Sequence, residues 1–168
     1  MNNVEYFNIN NNSLIYYSRI GRLDIVNKLL STSKIKINAQ NRYNDTALIY
    51  ASRHGYYDVV KQLLEYDADC NIQGEEKKSA LIWASRNLRV NVVKLLIDYK
   101  AYYHLEDVQN MTALMWAYDI QCTKCSFKNK QIIKMLTDYE INQIRYSLIS
   151  SCPNIYNDIV DMIIKFVV

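Results

Sequence analysis

The sequence predicts an all-α fold, a solenoid of stacked antiparallel helix pairs joined by short hairpin loops. The main observation is internal repetition: TALIYASR at residues 46–53 recurs as SALIWASR at 79–86 and as TALMWAYD at 112–119. A fixed period of this length is typical of stacked repeats. Composition agrees, because 3 glycines and 1 proline in 168 residues leave few turn residues for a fold with many strands.

A second block keeps the same register and predicts a second helix in every unit. Its copies are DIVNKLL at 24–30, DVVKQLL at 58–64 and NVVKLLI at 91–97, with an echo, QIIKML, at 131–136. The valines and leucines of each copy share one face of a helix, as expected for a helix that buries one side. Each unit is therefore predicted to be helix, turn, helix and extended loop.

Local signals mark where these helices begin and end. Thr46 can cap the first helix through its hydroxyl. Gly21 and Gly55 lie where a helix must end in a left-handed residue, and Asp58 then places a carboxylate near the positive end of the next helix. We therefore expect two short helices with a tight turn between them.

The two blocks resemble the ankyrin repeat. The start T-[AP]-L-h-h-A-[AS], the second helix G-x-x-[DE]-h-V-x-x-L-L and the link A-D-h-N-h-Q at 68–73 recur together at the period of that family. The resemblance covers roughly residues 10–141. It implies a non-catalytic scaffold that binds other proteins with its hairpin tips and the exposed side of each first helix.

The sequence departs from the family pattern at its glycines. Asn44, Lys77 and Asn110 replace the hairpin glycine, and Leu88 replaces the glycine between the helices. Asn tolerates a positive φ, whereas Lys and Leu do so poorly. We therefore expect the repeat at 75–107 to be the most strained.

We predict a single domain over residues 1–168. Its parts are an N-terminal capping repeat at 10–41, repeats at 42–74, 75–107 and 108–141, and a C-terminal segment at 142–168. Residues 146–166 align with 46–66 without a gap, which favours a capping repeat. The alternative is an F-box, because CPNIYNDIVDMIIKF also resembles the F-box pattern L-P-x-E-h-x-x-x-I-h-x-h-L. This pattern follows ankyrin arrays in some large DNA viruses, and an F-box here would recruit a ubiquitin-ligase adaptor.

Other residues invite chemical interpretations that the sequence does not favour. Cys122 and Cys125 have the spacing of half a zinc site, but no second ligand pair accompanies them, so we expect no metal. Neither histidine has a nucleophile nearby in sequence, and no phosphate-binding loop is present, so we expect no enzyme and no cofactor. Tyr16, Tyr50, Trp83 and Trp116 share one repeat position and are predicted to be core residues.

The charge and the N-terminus limit the classes of partner. A net charge of +3 is far from that of a nucleic-acid binder, and no apolar run is long enough to cross a membrane. The N-terminus does not resemble a signal peptide, so we expect a cytoplasmic or nuclear monomer with reduced cysteines. The resemblance to arrays of large DNA viruses suggests a viral protein that meets a host protein.

The resemblance also gives the expected partner-binding residues, transferred by register. They are Arg19, Arg42, Tyr43, Asp45, Arg53, His54, Glu75, Glu76, Lys78, Arg86, Asn87, Val108, Gln109 and Met111. Arg19, Arg53 and Arg86 should align as a cationic stripe, because one repeat step places equivalent residues above each other. An acidic protein partner is the hypothesis, and solvated helix ends are the alternative.

Overall fold

The computed structural model describes residues 11–32, 34–119 and 127–151. In these ranges the chain forms eight α-helices and no extended strand. They are α1 Asn11–Arg19, α2 Leu23–Leu30, α3 Ala47–His54, α4 Tyr57–Glu65, α5 Ala80–Arg86, α6 Val90–Asp98, α7 Ala113–Tyr118 and α8 Phe127–Ser151. The predicted all-α repeat fold is confirmed.

Two rows of helices enclose one apolar core. The first helices α1, α3, α5 and α7 pack in sequence order, and the second helices α2, α4, α6 and α8 form a parallel row. Leu48 and Leu81 are buried, and Leu114 packs against the same cluster. Since burial of one leucine side chain stabilises a protein by about 1.5–3 kcal/mol, neighbouring units depend on each other for their stability.

The helix ends follow the local signals. Thr46 accepts a hydrogen bond from the backbone N–H of Ile49 (3.3 Å), and Ser79 and Thr112 cap α5 and α7 in the same way. Gly55 ends α3 with φ of 84°, in the left-handed region that glycine adopts without steric cost. The predicted N-cap at Thr46 is confirmed, and so are the predicted left-handed glycines, since Gly21 also has a positive φ, 74°.

The positions that lack the family's glycine carry backbone strain. Asn44, Lys77, Leu88 and Asn110 all have φ between 56° and 62°. A non-glycine residue in this region costs about 1–2 kcal/mol, less for Asn. The repeat at 75–107 holds four such residues, the others being Glu76 and Lys100, as expected for the most strained repeat.

The aromatic positions follow the prediction with one exception. Trp83 is buried, whereas Tyr50 and Trp116 are half-buried against the core. Tyr16 is 55% exposed, so its assignment to the core was wrong. The physical reason is its place in the stack: among the described residues no earlier unit lies beside α1 to cover its ring.

The last helix differs from the predicted division of the chain. α8 passes without a break through residue 142, where a separate C-terminal segment was expected to begin. No glycine or proline lies near that point to end the helix. The described residues do not include 152–168, which carry most of the capping and F-box patterns. They also do not include Cys122 and Cys125. No described helix has the length and apolar character needed to cross a membrane.

Candidate functional site

The hairpins before α3 and α7 are each shaped by a side chain with a carbonyl or carboxylate oxygen. Asn41 Oδ1 accepts hydrogen bonds from the backbone N–H groups of Tyr43 (2.8 Å) and Asp45 (3.1 Å). Two repeats later, Asp107 Oδ1 accepts hydrogen bonds from the backbone N–H groups of Gln109 (2.8 Å) and Met111 (3.1 Å). Such local bonds fix a tight turn. The side chains at the tips therefore project from a defined backbone.

Neighbouring hairpins are bonded to each other as well as to themselves. Gln73 Nε2 donates to the backbone oxygen of Glu106 (2.8 Å), and the N–H of Val108 donates to the oxygen of Glu76 (3.1 Å). The tips at 42–44, 75–77 and 108–110 thus form a stacked row. We call this row, together with the first-helix ends at 19, 53–54 and 86–87, the hairpin face.

Asp45 is part of the support beneath this face and does not contribute to its surface. Position 74 is glycine where the other two hairpins have Asn41 and Asp107. The Asp45 carboxylate occupies the space and accepts a bond from the N–H of Glu75 (3.0 Å). Asp45 is only 1% exposed, so its assignment as a partner-binding residue is corrected.

Lys78 is the second predicted contact residue that turns out to be buried. Its side chain is fully enclosed, and its ammonium group pairs with Asp107 Oδ2 (3.5 Å) and with Glu76. The same nitrogen lies 5.4 Å and 5.5 Å from the ring centres of Trp83 and Trp116. These contacts compensate the loss of hydration that a buried charge suffers. Lys78 therefore holds two hairpins together and is not available to a partner.

Asp107 is the acidic centre of that buried network. Burial alone would raise the pKa of its carboxyl group. The hydrogen bonds from the N–H groups of Met111 and Gln109 and from the Trp116 indole (2.8 Å), together with the charge of Lys78, outweigh burial, and the pKa is lowered. Asp107 is therefore ionised at neutral pH.

Two arginines of the hairpin face stack on the tryptophans of the following repeat. The guanidinium carbon of Arg53 lies 4.0 Å from the ring centre of Trp83, and that of Arg86 lies 4.4 Å from Trp116. Stacking uses the face of a guanidinium group and leaves the N–H donors at its edge available. Both side chains thus present bidentate donors from supported positions.

His54 lies beside Arg53 in a region of positive charge. Partial burial, followed by the charges of Arg53, Arg89 and Arg19, lowers the pKa of its imidazole. The ring stacks on Tyr56 with 5.8 Å between ring centres. The imidazole is therefore predominantly neutral at neutral pH, and the charge of this region comes from the arginines.

The remaining predicted contact residues lie at or near the surface. Exposed are Arg19, Arg42, Tyr43, His54, Glu75, Glu76, Arg86, Val108 and Gln109; half-buried are Arg53, Asn87 and Met111. Arg42 stacks over Tyr43 and donates a hydrogen bond to its hydroxyl (2.6 Å). Twelve of the fourteen predicted residues are thus at least partly accessible.

Sequence reasoning missed Arg89 and Asp107. Arg89 precedes α6, and its Nε donates to the backbone oxygen of Arg53 (3.4 Å), which brings it to the hairpin face from a second helix. Asp107 was overlooked because its role depends on Lys78, which lies in the preceding hairpin. The available signal was the register of Asp107 with Asn41, a residue type that favours turns.

A groove also lies where residues 100–104 meet α8. It has a volume of about 450 Å³ and is lined by Tyr102, Tyr103, His104, Tyr139 and Ile144, among others. Its rings contact one another, since Tyr102 stacks on His104 and Tyr103 meets Tyr139 edge to face. The lining resembles the edge of a core, and no grouping of catalytic side chains accompanies it.

Comparison with protein-family models identifies a repeat family. A family model described as ankyrin repeats (3 copies) matches residues 2–74 and residues 68–145. These two segments together cover most of the chain and include all three hairpins and both stacked arginines. A search among curated proteins gives no significant match.

Proposed function

Because the chain belongs to the ankyrin-repeat family, whose members generally mediate protein–protein interactions, we propose that it is a non-catalytic scaffold that binds a protein partner with its hairpin face. The support is the contrast between the two sides of the hairpins. Asp45, Lys78 and Asp107 are committed to internal contacts, whereas the tips carry exposed residues that differ from repeat to repeat. Such a supported and chemically varied surface suits recognition of another protein.

The observation that carries this proposal is the stacking of Arg53 and Arg86 on Trp83 and Trp116. Arginine is enriched among residues that dominate binding energy, and a side chain that is already ordered loses less entropy on binding. The edge donors match carboxylate groups. We therefore propose a partner segment with acidic side chains spaced about one repeat apart.

Nucleic acid is the less favoured partner. The hairpin between the two stacked arginines carries Glu75 and Glu76, and Glu106 lies near the end of the same repeat, where its backbone oxygen is bonded to Gln73. A polyanion needs a continuous basic track, which these carboxylates interrupt. A protein can instead match alternating charges.

The experiment places a photo-crosslinking amino acid at one position at a time in the full chain, in its native cell. Tyr43 and Gln109 report on the hairpin face, and Lys61 and Lys94, exposed on the second helices, are matched controls. We expect both hairpin positions to capture the same protein and both controls to capture none of it. Capture mainly from the second helices would refute the hairpin face as the binding surface.

The finer proposals rest on sequence resemblance. We propose an intracellular monomer and, from the resemblance to arrays of large DNA viruses, a host protein as partner. The alternative function, a substrate adaptor that recruits a ubiquitin ligase through residues 142–168, has only the sequence pattern in its support. Co-purification of a ligase adaptor with the full chain, but not with a chain altered only at residues 155–166, would favour that alternative.

A further inference from the structure

A cluster of positive charge without an acidic neighbour lies where α3 ends. Arg53 and His54 are the last residues of α3, Arg89 immediately precedes α6, and Arg19 ends α1, which packs against α3. Among the described residues no carboxylate lies within ion-pair distance of these three arginines. We call the four residues the His54 cluster.

Two arginines of the His54 cluster are fixed in place by the protein itself. Arg53 stacks on Trp83 at 4.0 Å, and Arg89 donates to the backbone oxygen of Arg53. The Arg89 side chain also packs on Gly55, where a Cβ would come within 2.6 Å of its Cδ. Ordering these side chains therefore costs a ligand little entropy. The cluster is therefore preorganised for binding an anion.

The cluster differs from the other cationic sites of the hairpin face. Arg86 acts electrostatically on Glu76, and Lys78 pairs with Glu76 and Asp107, so these cations are partly neutralised within the chain. At His54, by contrast, all three charged groups that shift its pKa are arginines. They come from α1, from α3 itself and from the residue before α6. No charged group of α4 or α5, the other helices packed against α3, contributes.

We propose that the His54 cluster binds a doubly charged group, a phosphorylated side chain on the protein that occupies the hairpin face; this inference rests on the protein-binding function proposed above. Guanidinium groups bind phosphate oxygens in bidentate geometry, and three of them match two negative charges better than the single charge of a carboxylate. A phosphodiester chain fits less well, because it needs a continuous basic track, and the exposed carboxylates of Glu75 and Glu76, which lie outside the cluster in the next hairpin, interrupt such a track along the hairpin face.

The His54 imidazole reports on occupancy of the site. Its pKa is lowered when the site is empty, partly because the arginines repel a proton. A bound dianion offsets that repulsion, so binding raises the pKa of His54. By linkage, the affinity for an anion of constant charge rises as the pH falls through the pKa of His54. Sulfate keeps both its charges over this range, whereas phosphate does not.

The chain offers an internal control, because it has 2 histidines, and His104 lies in the groove beside α8, outside the His54 cluster. We would follow both imidazoles of the full chain by NMR during titration with sulfate, with a phosphoserine peptide, with the same peptide carrying glutamate, and with a single-stranded oligonucleotide. The expected result is a saturable shift and a raised pKa at His54, with His104 unchanged. The phosphopeptide should bind at least about tenfold more tightly than the glutamate peptide.

Charge variants test the assignment to these arginines. Arg19→Gln and Arg89→Gln should each weaken sulfate binding at His54 several-fold, whereas Lys94→Gln, which removes one positive charge on α6, should not. Equal responses of His54 and His104, or equal effects of all three variants, would overturn the site. Tighter binding of the oligonucleotide than of the phosphopeptide would replace the phosphorylated protein by nucleic acid.

The outcome is separable from that of the crosslinking experiment. Capture of a partner at Tyr43 and Gln109 with no response at His54 would overturn the anion site and leave the protein-binding function standing. A response at His54 with no capture at the hairpin tips would overturn the protein-binding proposal and, with it, the assignment of the anion to a protein side chain.

Discussion

Replacement of Lys78 by methionine tests the buried network beneath the hairpin face. Lys78 is fully enclosed between Trp83 and Trp116 and pairs with the buried carboxylate of Asp107. Methionine matches the length of the aliphatic chain and removes the charge. Asp107 would then be a buried anion without a cation, which is the main cost that we expect.

The magnitude follows from what Asp107 keeps. Removal of one partner of a buried ion pair costs about 3–5 kcal/mol. Asp107 retains bonds from two backbone N–H groups and from the Trp116 indole, so we expect the lower end, a loss of about 3 kcal/mol in the free energy of unfolding. For a chain of this length that corresponds to a fall in Tm of about 6–12 °C.

The assay is urea unfolding followed by tryptophan fluorescence, since both tryptophans contact Lys78. Lys77→Met is the matched control, because Lys77 is exposed and should change stability by less than about 0.5 kcal/mol. Equal effects of Lys77→Met and Lys78→Met would refute the reasoning.

The pH dependence gives a second check on the same network. The folded pKa of Asp107 lies below its ordinary value, so its ionised form stabilises the fold above that value. This stabilisation is lost as the pH falls through the lowered pKa. The difference between the wild type and Lys78→Met should therefore shrink in acid, and a constant difference would contradict the ion pair.

Three further substitutions test other local features by thermal unfolding. Gly74→Ala should lower the free energy of unfolding by about 1–3 kcal/mol, because the added Cβ meets the Asp45 carboxylate. A smaller loss in an Asp45→Ala background would support that cause, whereas an equal loss would contradict it. Lys77→Gly should stabilise the fold by about 0.5 kcal/mol, because the relief of strain at the positive φ exceeds the entropy cost of glycine. The control, Lys94→Gly in α6, should destabilise the fold by about 1 kcal/mol. A loss of stability in both variants would contradict strain at Lys77. Ser79→Ala should cost about 1 kcal/mol through loss of the α5 cap, and an unchanged Tm would argue against it.

Features that depend on nearby residues could be predicted from the sequence. Thr46 and Gly55 lie next to the helix ends that they determine, and the repeat period places Leu48 and Leu81 in the core. The backbone strain at Lys77 and Leu88, which replace glycines of the family pattern, could also be predicted, because each turn requires a positive φ locally. The fold and its points of strain were therefore accessible without coordinates.

Features that depend on contacts between repeats could not be predicted from the sequence. Register places Asp45 and Lys78 at hairpin tips, yet Asp45 fills the space left by Gly74, and Lys78 is enclosed by groups from two units. Tyr16 shares the repeat position of Trp83, but no described unit covers it. A repeat motif describes the average neighbour of a position, whereas burial depends on the actual one.

The central claim, that the supported arginines of the hairpin face bind the partner, is tested most directly by an affinity measurement. The partner captured by crosslinking would be titrated into the wild type, into Arg53→Gln/Arg86→Gln and into Lys61→Gln/Lys94→Gln, which loses the same charge from the second helices. We predict that the first variant binds the partner at least about tenfold more weakly than the wild type does and that the second binds it as the wild type does. An equal loss in both variants, or a loss only in the second, would contradict it.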